Sequence, residues 1–184
     1  EDEHAKASFS KYVDTIIRQV DDIGRLVNEF SSFARMPAPI MGMHDLRQIL
    51  YQQITLFSTG EVKVKFTHNL DDSAGLMILC DDGLIRQALT NIFQNAVDAM
   101  TEADVKNPQI HINIEQDDQE ICITIVDDGP GLPKDNIDQL TDPYFTMRDR
   151  GTGLGLAIVR KIVEDHSGQL LLAQSPAAHK LSGA

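Results

Sequence analysis

The feature that most constrains the fold is a pair of segments in which apolar and polar residues alternate. Isoleucines occupy every second position of residues 110–114 and again of residues 121–125. The acidic dipeptide Asp117-Asp118 lies between the two segments. Because successive side chains of a strand point to opposite faces, this alternation predicts an antiparallel hairpin with one apolar face.

Helical and strand-like patterns occur on both sides of this hairpin without regular alternation. Spacings of three and four predict helices, whereas alternation or a short apolar run predicts strands. The irregular order indicates an α+β fold in which helices cover one face of a mixed sheet. The predicted helices are residues 46–57, a long helix from the N-cap Asp81 to about residue 100, a weak segment near 136–140 and residues 154–165 closed by Gly168; the further predicted strands are residues 62–66, 76–79 and 169–173.

The start of the chain carries a different pattern. Between residues 13 and 34 the apolar residues recur at alternating steps of three and four, which predicts a helix with a narrow seam for other helices. Pro37 and Pro39 cannot continue that helix. We therefore predict a helical part over residues 1–36, a linker over residues 37–44 and a globular domain over residues 45–184. In the alternative, the helix packs on the domain that follows.

Composition limits the partners of the chain. Its 184 residues include 28 Asp and Glu against 16 Lys and Arg, which gives a net charge of −12. This balance argues against a non-specific nucleic-acid surface, which neutralises phosphates with many basic side chains. Cys80 and Cys122 lie in apolar, strand-like runs, which is typical of reduced and buried thiols. No apolar stretch approaches the roughly 20 residues of a membrane span. We expect the chain to be a cytoplasmic piece of a longer protein.

Two asparagines stand out on the long predicted helix. Asn91 and Asn95 are four residues apart, so their side chains share one face of the helix, and Asp98 follows one turn later. Asparagine gains little in a helix interior unless its side chain has a partner. Amide oxygens suit a hard cation such as Mg²⁺, which fills its coordination shell with water and substrate phosphates. The alternative is a solvated polar face.

An acidic and glycine-rich turn follows the second strand of the predicted hairpin. Asp127 ends that strand, and Gly129 and Gly131 lie just beyond it. A carboxylate at this position can accept a hydrogen bond from an exocyclic amine, and the glycines let the backbone approach a flat base. The alternative is a plain turn, because Asp-Gly and Pro-Gly are common turn dipeptides.

A second glycine-rich segment opens the last predicted helix. Gly151, Gly153 and Gly155 alternate with Thr152 and Leu154. Glycines ahead of a helix leave amide groups exposed where the helix dipole favours an anion, so phosphate is the natural ligand. The spacing is neither that of a dinucleotide-binding fingerprint nor that of a P-loop.

An aromatic and charged stretch precedes these glycines. Residues 143–146 read Pro-Tyr-Phe-Thr, and residues 147–150 read Met-Arg-Asp-Arg. We interpret the charged part as a lid that closes over a nucleotide. Core packing is the alternative for Tyr144 and Phe145, because aromatic side chains form cores first.

Together, in this order and spacing, these motifs resemble the N, G1, F and G2 boxes of sensor histidine kinases, within the wider family of ATPases and kinases that includes Hsp90, gyrase B and MutL. The resemblance covers about residues 8–175. The sequence of residues 15–35, together with the Pro-Tyr-Phe-Thr stretch, is similar to that of nitrogen-regulation kinases of the NtrY type. It implies a two-layer α/β sandwich of the Bergerat type, preceded by the second helix of a dimerisation and phosphoacceptor hairpin. It also implies Asn91 and Asn95 as catalytic residues and Mg²⁺ ligands, Asp127 as the adenine contact, and further ATP contacts at Asn95, Gly129, Gly131, Tyr144, Phe145, Thr146, Arg148, Gly151, Thr152, Gly153, Leu154 and Gly155.

The chain departs from the family's pattern at several points. Related ATPases carry a water-activating glutamate at the position of Asn91; an amide cannot accept that proton, so we expect slow hydrolysis and favour phosphoryl transfer. None of the six histidines lies in a phosphoacceptor box, so we expect the acceptor helix to be absent here. Many relatives have a lysine after Asn95 where this chain has Asp98, which leaves Arg148 and Arg150 as candidate phosphate contacts. Relatives also end with a further strand, so we expect an unpaired sheet edge, with lower stability or pairing with another chain.

The resemblance implies the ATP-binding catalytic portion of a two-component sensor histidine kinase. Such a protein transfers the γ-phosphoryl group of ATP to a histidine on a dimerisation hairpin, for relay to a response regulator. The implied partners are that hairpin, a response regulator and a second copy of the full-length chain, which is expected to be anchored in the inner membrane. Two alternatives stay open: a serine-directed anti-sigma-type kinase or ATPase of the same superfamily, and a nucleotide-gated interaction module.

Overall fold

The structure is a computed structural model that describes residues 36–60, 62–70, 75–117, 120–133, 135–148 and 151–174, with isolated positions between residues 9 and 31. Half of the predicted helix of residues 13–34 therefore lies outside the described residues. Two of its described apolar positions, Val20 and Val27, are 61% and 56% exposed. In the described part of the chain, no helix has both the length and the apolar character that a membrane span requires.

The described domain contains five strands and three α-helices, and the first two helices begin at side-chain caps that the sequence supplies. Asp45 caps the first helix and Asp81 the second, each by accepting a hydrogen bond from a backbone N–H of the first turn. In chain order the elements are β1 (Gly42–Asp45), α1 (Leu46–Ser58), β2 (Lys65–His68), β3 (Met77–Cys80), α2 (Asp82–Glu102), β4 (Gln109–Gln116), β5 (Ile121–Asp127), a 3-10 helix (Ile137–Thr141) and α3 (Gly155–Asp165).

The strands form two sheets. In the larger one, β4 lies between β2, with which it is parallel, and β5, with which it is antiparallel. The predicted hairpin is thus confirmed, and the sheet is mixed as the α+β prediction requires. The smaller sheet pairs β1 with β3 in antiparallel order. Strand β1 includes residues 42–44, which the sequence analysis places in a linker, while the proposed domain boundary itself stays a prediction.

The main core lies between the larger sheet and helices α1 and α2. Ile110 and Ile112 project from β4 into this core, and Phe93 of α2 is completely buried in it. The Phe93 ring meets the rings of Phe57 and Phe66 edge to face, with centroid distances of 5.5 and 5.3 Å. A smaller cluster joins α2 to α3 through the buried residues Leu84, Ala88, Leu154, Ile158, Val159 and Ile162.

Two details of the sequence prediction are wrong. Residues 169–173 form no strand; Leu171 is 76% exposed, and β5 remains an edge among the described strands. An apolar run becomes a strand only when a neighbour takes its backbone hydrogen bonds, and this segment has none within the described residues. The second error concerns Cys122, which is exposed, whereas Cys80 is buried as predicted. The isoleucines next to Cys122 in β5 face the core, so Cys122 points to the other face of the sheet.

Candidate functional site

Helix α2 carries one face toward the core and a second, polar face toward the start of α3. Asn91 and Asn95 lie on this polar face and are half-buried. The amide nitrogen of Asn91 donates a hydrogen bond to the backbone oxygen of Gly155, at 3.4 Å. This contact directs the Asn91 amide nitrogen toward α3 and leaves its oxygen for another partner. Asn91 is therefore not part of a merely solvated face.

The start of α3 lies directly against this polar face. A Cβ atom added to Gly155 would come 3.6 Å from the amide nitrogen of Asn95. Leu154 occupies the N-cap position, and no side chain caps the helix there. The first turn of α3 therefore presents backbone N–H groups, together with the positive end of the helix dipole, beside the two asparagines. This is an arrangement that suits phosphate oxygens.

The turn after β5 approaches α2 further along the same helix. The Oδ1 atom of Asp127 accepts a hydrogen bond from the backbone N–H of Gly129 at 2.8 Å, as it would in a plain turn. A Cβ atom added to Gly129 would lie 3.5 Å from the Cβ atom of Ala99, one turn beyond Asn95. Gly131 has a φ angle of +80°, a left-handed conformation that favours glycine. The turn interpretation and an adenine contact through the second oxygen of Asp127 are compatible.

The segment between the 3-10 helix and α3 folds back on itself. The backbone N–H of Tyr144 donates to the backbone oxygen of Gly153 at 3.0 Å. Both residues have positive φ angles, and a Cβ atom added to Gly153 would come 2.6 Å from the carbonyl carbon of Tyr144. Only glycine fits at position 153, because a side chain there would force the backbone of Tyr144 and Phe145 to move. Tyr144 is 60% exposed and is not a core residue, whereas Phe145 is half-buried.

Arg148 links this segment to α2. One guanidinium nitrogen donates to the backbone oxygen of Asn95 at 2.8 Å. The other two nitrogens lie 3.6 Å from the Asp98 carboxylate and 3.5 Å from the Glu102 carboxylate. The second predicted basic residue of the lid, Arg150, lies outside the described residues.

Two threonines order the backbone of the same segment. Thr146 accepts a hydrogen bond through its hydroxyl from the backbone N–H of Arg148 at 3.1 Å, and the Thr152 hydroxyl accepts one from the N–H of Leu154 at 3.3 Å. A side chain at Gly151 would collide with the Thr146 hydroxyl. These contacts shape the backbone of the segment.

The structure therefore brings the predicted motifs to one helix face. Gly155 contacts it at the asparagines, Arg148 at Asn95 and beyond, and Gly129 at Ala99. The side chains of Tyr144 and Thr146 are exposed. Two surface cavities of about 380 and 230 Å³ lie elsewhere, around Lys63 and Pro108, and no predicted site residue lines them.

Sequence reasoning missed the roles of Asp98 and Glu102 as partners of Arg148. A signal was present, because the two carboxylates follow Asn95 by three and seven residues and so lie on the same side of the helix. Their arginine partner is about 50 residues away in the chain, and no local pattern indicates such a pair.

The N-terminus of α2 is held by Asp81. Its carboxylate accepts hydrogen bonds from the N–H groups of Ile40 at 2.8 Å and of Leu84 at 3.0 Å. These hydrogen bonds hold the pKa of Asp81 below its ordinary value, the bond from Ile40 contributing most. The backbone N–H of Asp81 donates to the Nε2 atom of His166 at 2.9 Å. This junction fixes α2 relative to the segment before β1 and to the end of α3.

Known proteins are similar to this chain in sequence and in fold. The nitrogen regulation protein NtrY of Azorhizobium caulinodans is 42% identical over 171 residues, which are 91% of this chain and 22% of that protein. The chain thus spans about a fifth of the length of this relative. The histidine kinase ThkA, solved in complex with the response regulator protein TrrA, is 25% identical, with a TM-score of 0.65, over 86% of this chain and 45% of that chain.

A further solved structure supports the fold. The histidine kinase AdeS of Acinetobacter baumannii has a TM-score of 0.68 over 88% of this chain and 77% of its own, at 21% identity. Residues 80–181, which include all the predicted site residues, match the family described as histidine kinase-, DNA gyrase B-, and HSP90-like ATPase. The chain belongs to this family of ATP-binding proteins.

Proposed function

We propose that this chain is the ATP-binding catalytic portion of a two-component sensor histidine kinase. ATP complexed with Mg²⁺ would lie along the polar face of α2, with its phosphates at the start of α3 and its adenine at Asp127. The observation that carries this proposal is the convergence of Gly155, Arg148 and Gly129 on that one face. Several relatives bear the name of a putative sensor histidine kinase, which supports the same assignment.

The asparagine pair fits a magnesium ion that accompanies the nucleotide. The Asn91 amide nitrogen is engaged by Gly155, so its oxygen is the atom left to bind a cation. Asn95 is half-buried beside it, and its amide has no hydrogen-bond partner within the described residues. Mg²⁺ with few protein ligands takes the rest from water and phosphates, and it would neutralise negative charge that develops on the γ-phosphoryl group.

The remaining residues position the nucleotide. The uncapped N–H groups at the start of α3 would hold phosphate oxygens, and the carboxylate of Asp127 would accept a hydrogen bond from the adenine amine. A ring nitrogen of the acceptor histidine would attack the γ-phosphorus as the bond to the bridging oxygen breaks and ADP departs. Neither Asn91 nor Asn95 can serve as a base for water, which favours transfer over hydrolysis.

The partners follow from the same proposal. The acceptor histidine would lie on a dimerisation hairpin of the full-length chain, which would act as a homodimer anchored in the inner membrane, with this portion on the cytoplasmic side. The phosphoryl group would then pass to a response regulator; ThkA, a structural neighbour, was solved with such a protein. No role with nucleic acid is proposed for a chain with a net charge of −12.

A phosphoryl-transfer experiment tests the proposal. The chain is incubated with γ-labelled ATP, Mg²⁺ and a separately supplied hairpin that carries the upstream histidine, and the same hairpin with that histidine changed to glutamine serves as control. We expect acid-labile label on the histidine-bearing hairpin only. Tight binding without transfer would indicate a nucleotide-gated interaction module, and rapid release of free phosphate would indicate an ATPase; either result contradicts the kinase assignment.

A further inference from the structure

The guanidinium of Arg148 has three polar partners among the described residues, and all of them lie on one side of α2. They are the backbone oxygen of Asn95 at 2.8 Å, the Asp98 carboxylate at 3.6 Å and the Glu102 carboxylate at 3.5 Å. The arginine side chain is only 27% exposed, so the contact removes most of it from water. A planar guanidinium with a hydrogen bond and two charged neighbours is held in a defined orientation.

This contact covers the helix face assigned above to the nucleotide. The partners of Arg148 span residues 95–102 of α2, and in the same stretch Gly155 approaches Asn95 and Gly129 approaches Ala99. The guanidinium therefore contacts the same stretch of the helix that α3 and the turn after β5 approach. Asp98 and Glu102 place two negative charges at the same location.

A nucleotide polyphosphate and these carboxylates would compete for the same guanidinium. Both are anionic, and a guanidinium nitrogen that is paired with a carboxylate is not free to bind a phosphate oxygen. We propose that Asp98 and Glu102 are positioning residues that hold Arg148 on α2 in the nucleotide-free chain. We call the contacts of these two carboxylates with Arg148 the latch, and we propose that they must break for ATP to bind. The nucleotide step, which is the breaking of the latch on ATP binding, rests on the function proposed above. The latch itself does not.

The latch is tested first without nucleotide. Phenylglyoxal modifies accessible arginine side chains, and mass spectrometry of peptides gives the rate at Arg148, with Arg160 as the internal reference. In the double variant Asp98→Asn/Glu102→Gln we expect modification of Arg148 to be about fivefold faster, the effect of losing two partly exposed ion pairs. Gln94, which donates to Asp98, can donate equally to the asparagine oxygen, so the helix surface is preserved.

A matched control removes a charge from the same end of the helix without touching Arg148. Asp104 lies just beyond α2 and pairs with Lys106. Asp104→Asn should leave the modification of Arg148 at the wild-type rate. Equal rates at Arg148 in the wild type and the double variant would overturn the latch.

Calorimetric titration with ATP and Mg²⁺ tests the consequence for binding. We expect the double variant to bind about fivefold more tightly than the wild type, because the ion pairs no longer oppose the nucleotide. In an Arg148→Gln background the two substitutions should give no such gain, since the guanidinium on which they act is missing. A gain of equal size in both backgrounds would show that the carboxylates merely repel the phosphates, and would overturn the proposal.

The two experiments also separate this proposal from the proposed function. If the wild-type chain binds no ATP, the assignment of the nucleotide site fails, and the link between latch and nucleotide fails with it. The modification rates at Arg148 would still report whether Asp98 and Glu102 hold the arginine. Faster modification without tighter binding would contradict the nucleotide step alone.

Discussion

Substitution of Gly153 by alanine should destabilise the fold more than the same change at another glycine with the same backbone conformation. Gly153 has a φ angle of +69° and Gly131 one of +80°, so alanine is strained at both positions. The cost of a left-handed alanine is about 1–2 kcal/mol at each. The surroundings differ. Apart from the chain neighbours of Gly131, no atom of the described residues lies within 4 Å of a Cβ at that position, whereas backbone atoms of Tyr144 and Phe145 lie 2.6–2.8 Å from a Cβ at Gly153.

The difference between the two variants measures the close approach alone. Relief of the overlap requires the backbone of Tyr144 to move away, at about 1–3 kcal/mol for an overpacked position. That movement also breaks the hydrogen bond from the Tyr144 N–H to the Gly153 oxygen, which contributes about 0.5–1.5 kcal/mol. We therefore expect Gly153→Ala to be less stable than Gly131→Ala by about 2–4 kcal/mol.

Urea unfolding followed by far-ultraviolet circular dichroism provides the measurement. The free energy of unfolding should decrease modestly in Gly131→Ala and much more in Gly153→Ala, because the strain at residue 153 acts on the buried start of α3 at Leu154. Equal stabilities of the two variants would refute the reasoning that Gly153 holds the aromatic segment against α3.

Three further predictions concern the site and its support. Asp127→Asn presents a donor to the adenine amine and should weaken ATP binding by about 1–3 kcal/mol; an unchanged affinity in calorimetric titration would remove Asp127 from the adenine site. Asn95→Ala should weaken binding of ATP with Mg²⁺ more than binding of metal-free ATP, and equal losses in the two titrations would contradict a metal role. Asp81 stabilises the fold fully above its ordinary pKa of 3.8, and this contribution is lost as the pH falls through its lower pKa in the folded state. Asp81→Asn, which retains a capping oxygen, should therefore flatten the acid decline of stability in urea titrations between pH ~2 and ~5, whereas an unchanged decline would assign it to other groups.

The sequence predicts those parts of the fold that local periodicity encodes. Helices α1 and α2 and the hairpin of β4 and β5 appear within a few residues of their predicted bounds, because apolar residues recur in each element at the period of a helix or a strand. The sequence also predicts the N-cap at Asp81, because aspartate is a preferred residue immediately before a helix. The hydrogen bond that it accepts from the N–H of Leu84 is present.

Pairing between distant segments is what local patterns do not contain. Strand β1 is four residues long, and its partner β3 begins more than 30 residues later, so nothing in its own sequence indicates a strand. Residues 169–173 show the opposite error: their apolar run predicts a strand, but no neighbour receives its hydrogen bonds within the described structure. The exposure of Cys122 likewise follows from which face of β5 is covered.

The candidate site was predictable to the extent that its residue types are unusual in their positions. Asparagines in a helix interior and glycines ahead of a helix are costly unless they have a use, so they stand out without any structure. Asp98 and Glu102 are ordinary residues for an exposed helix surface, and only their contact with Arg148 distinguishes them.

Both faces of α2 depend on the same helical period, and this couples the site to the core. Phe93, Ala96 and Met100 are buried on one side, while Asn91, Asn95 and Asp98 line the other, each set at steps of three or four. A rotation of the helix by one residue, about 100°, would expose Phe93 and bury polar side chains without partners. The packing of Phe93 between Phe57 and Phe66 therefore fixes the direction in which the two asparagines point. The precision of the site is a consequence of core packing on the opposite side of the same helix.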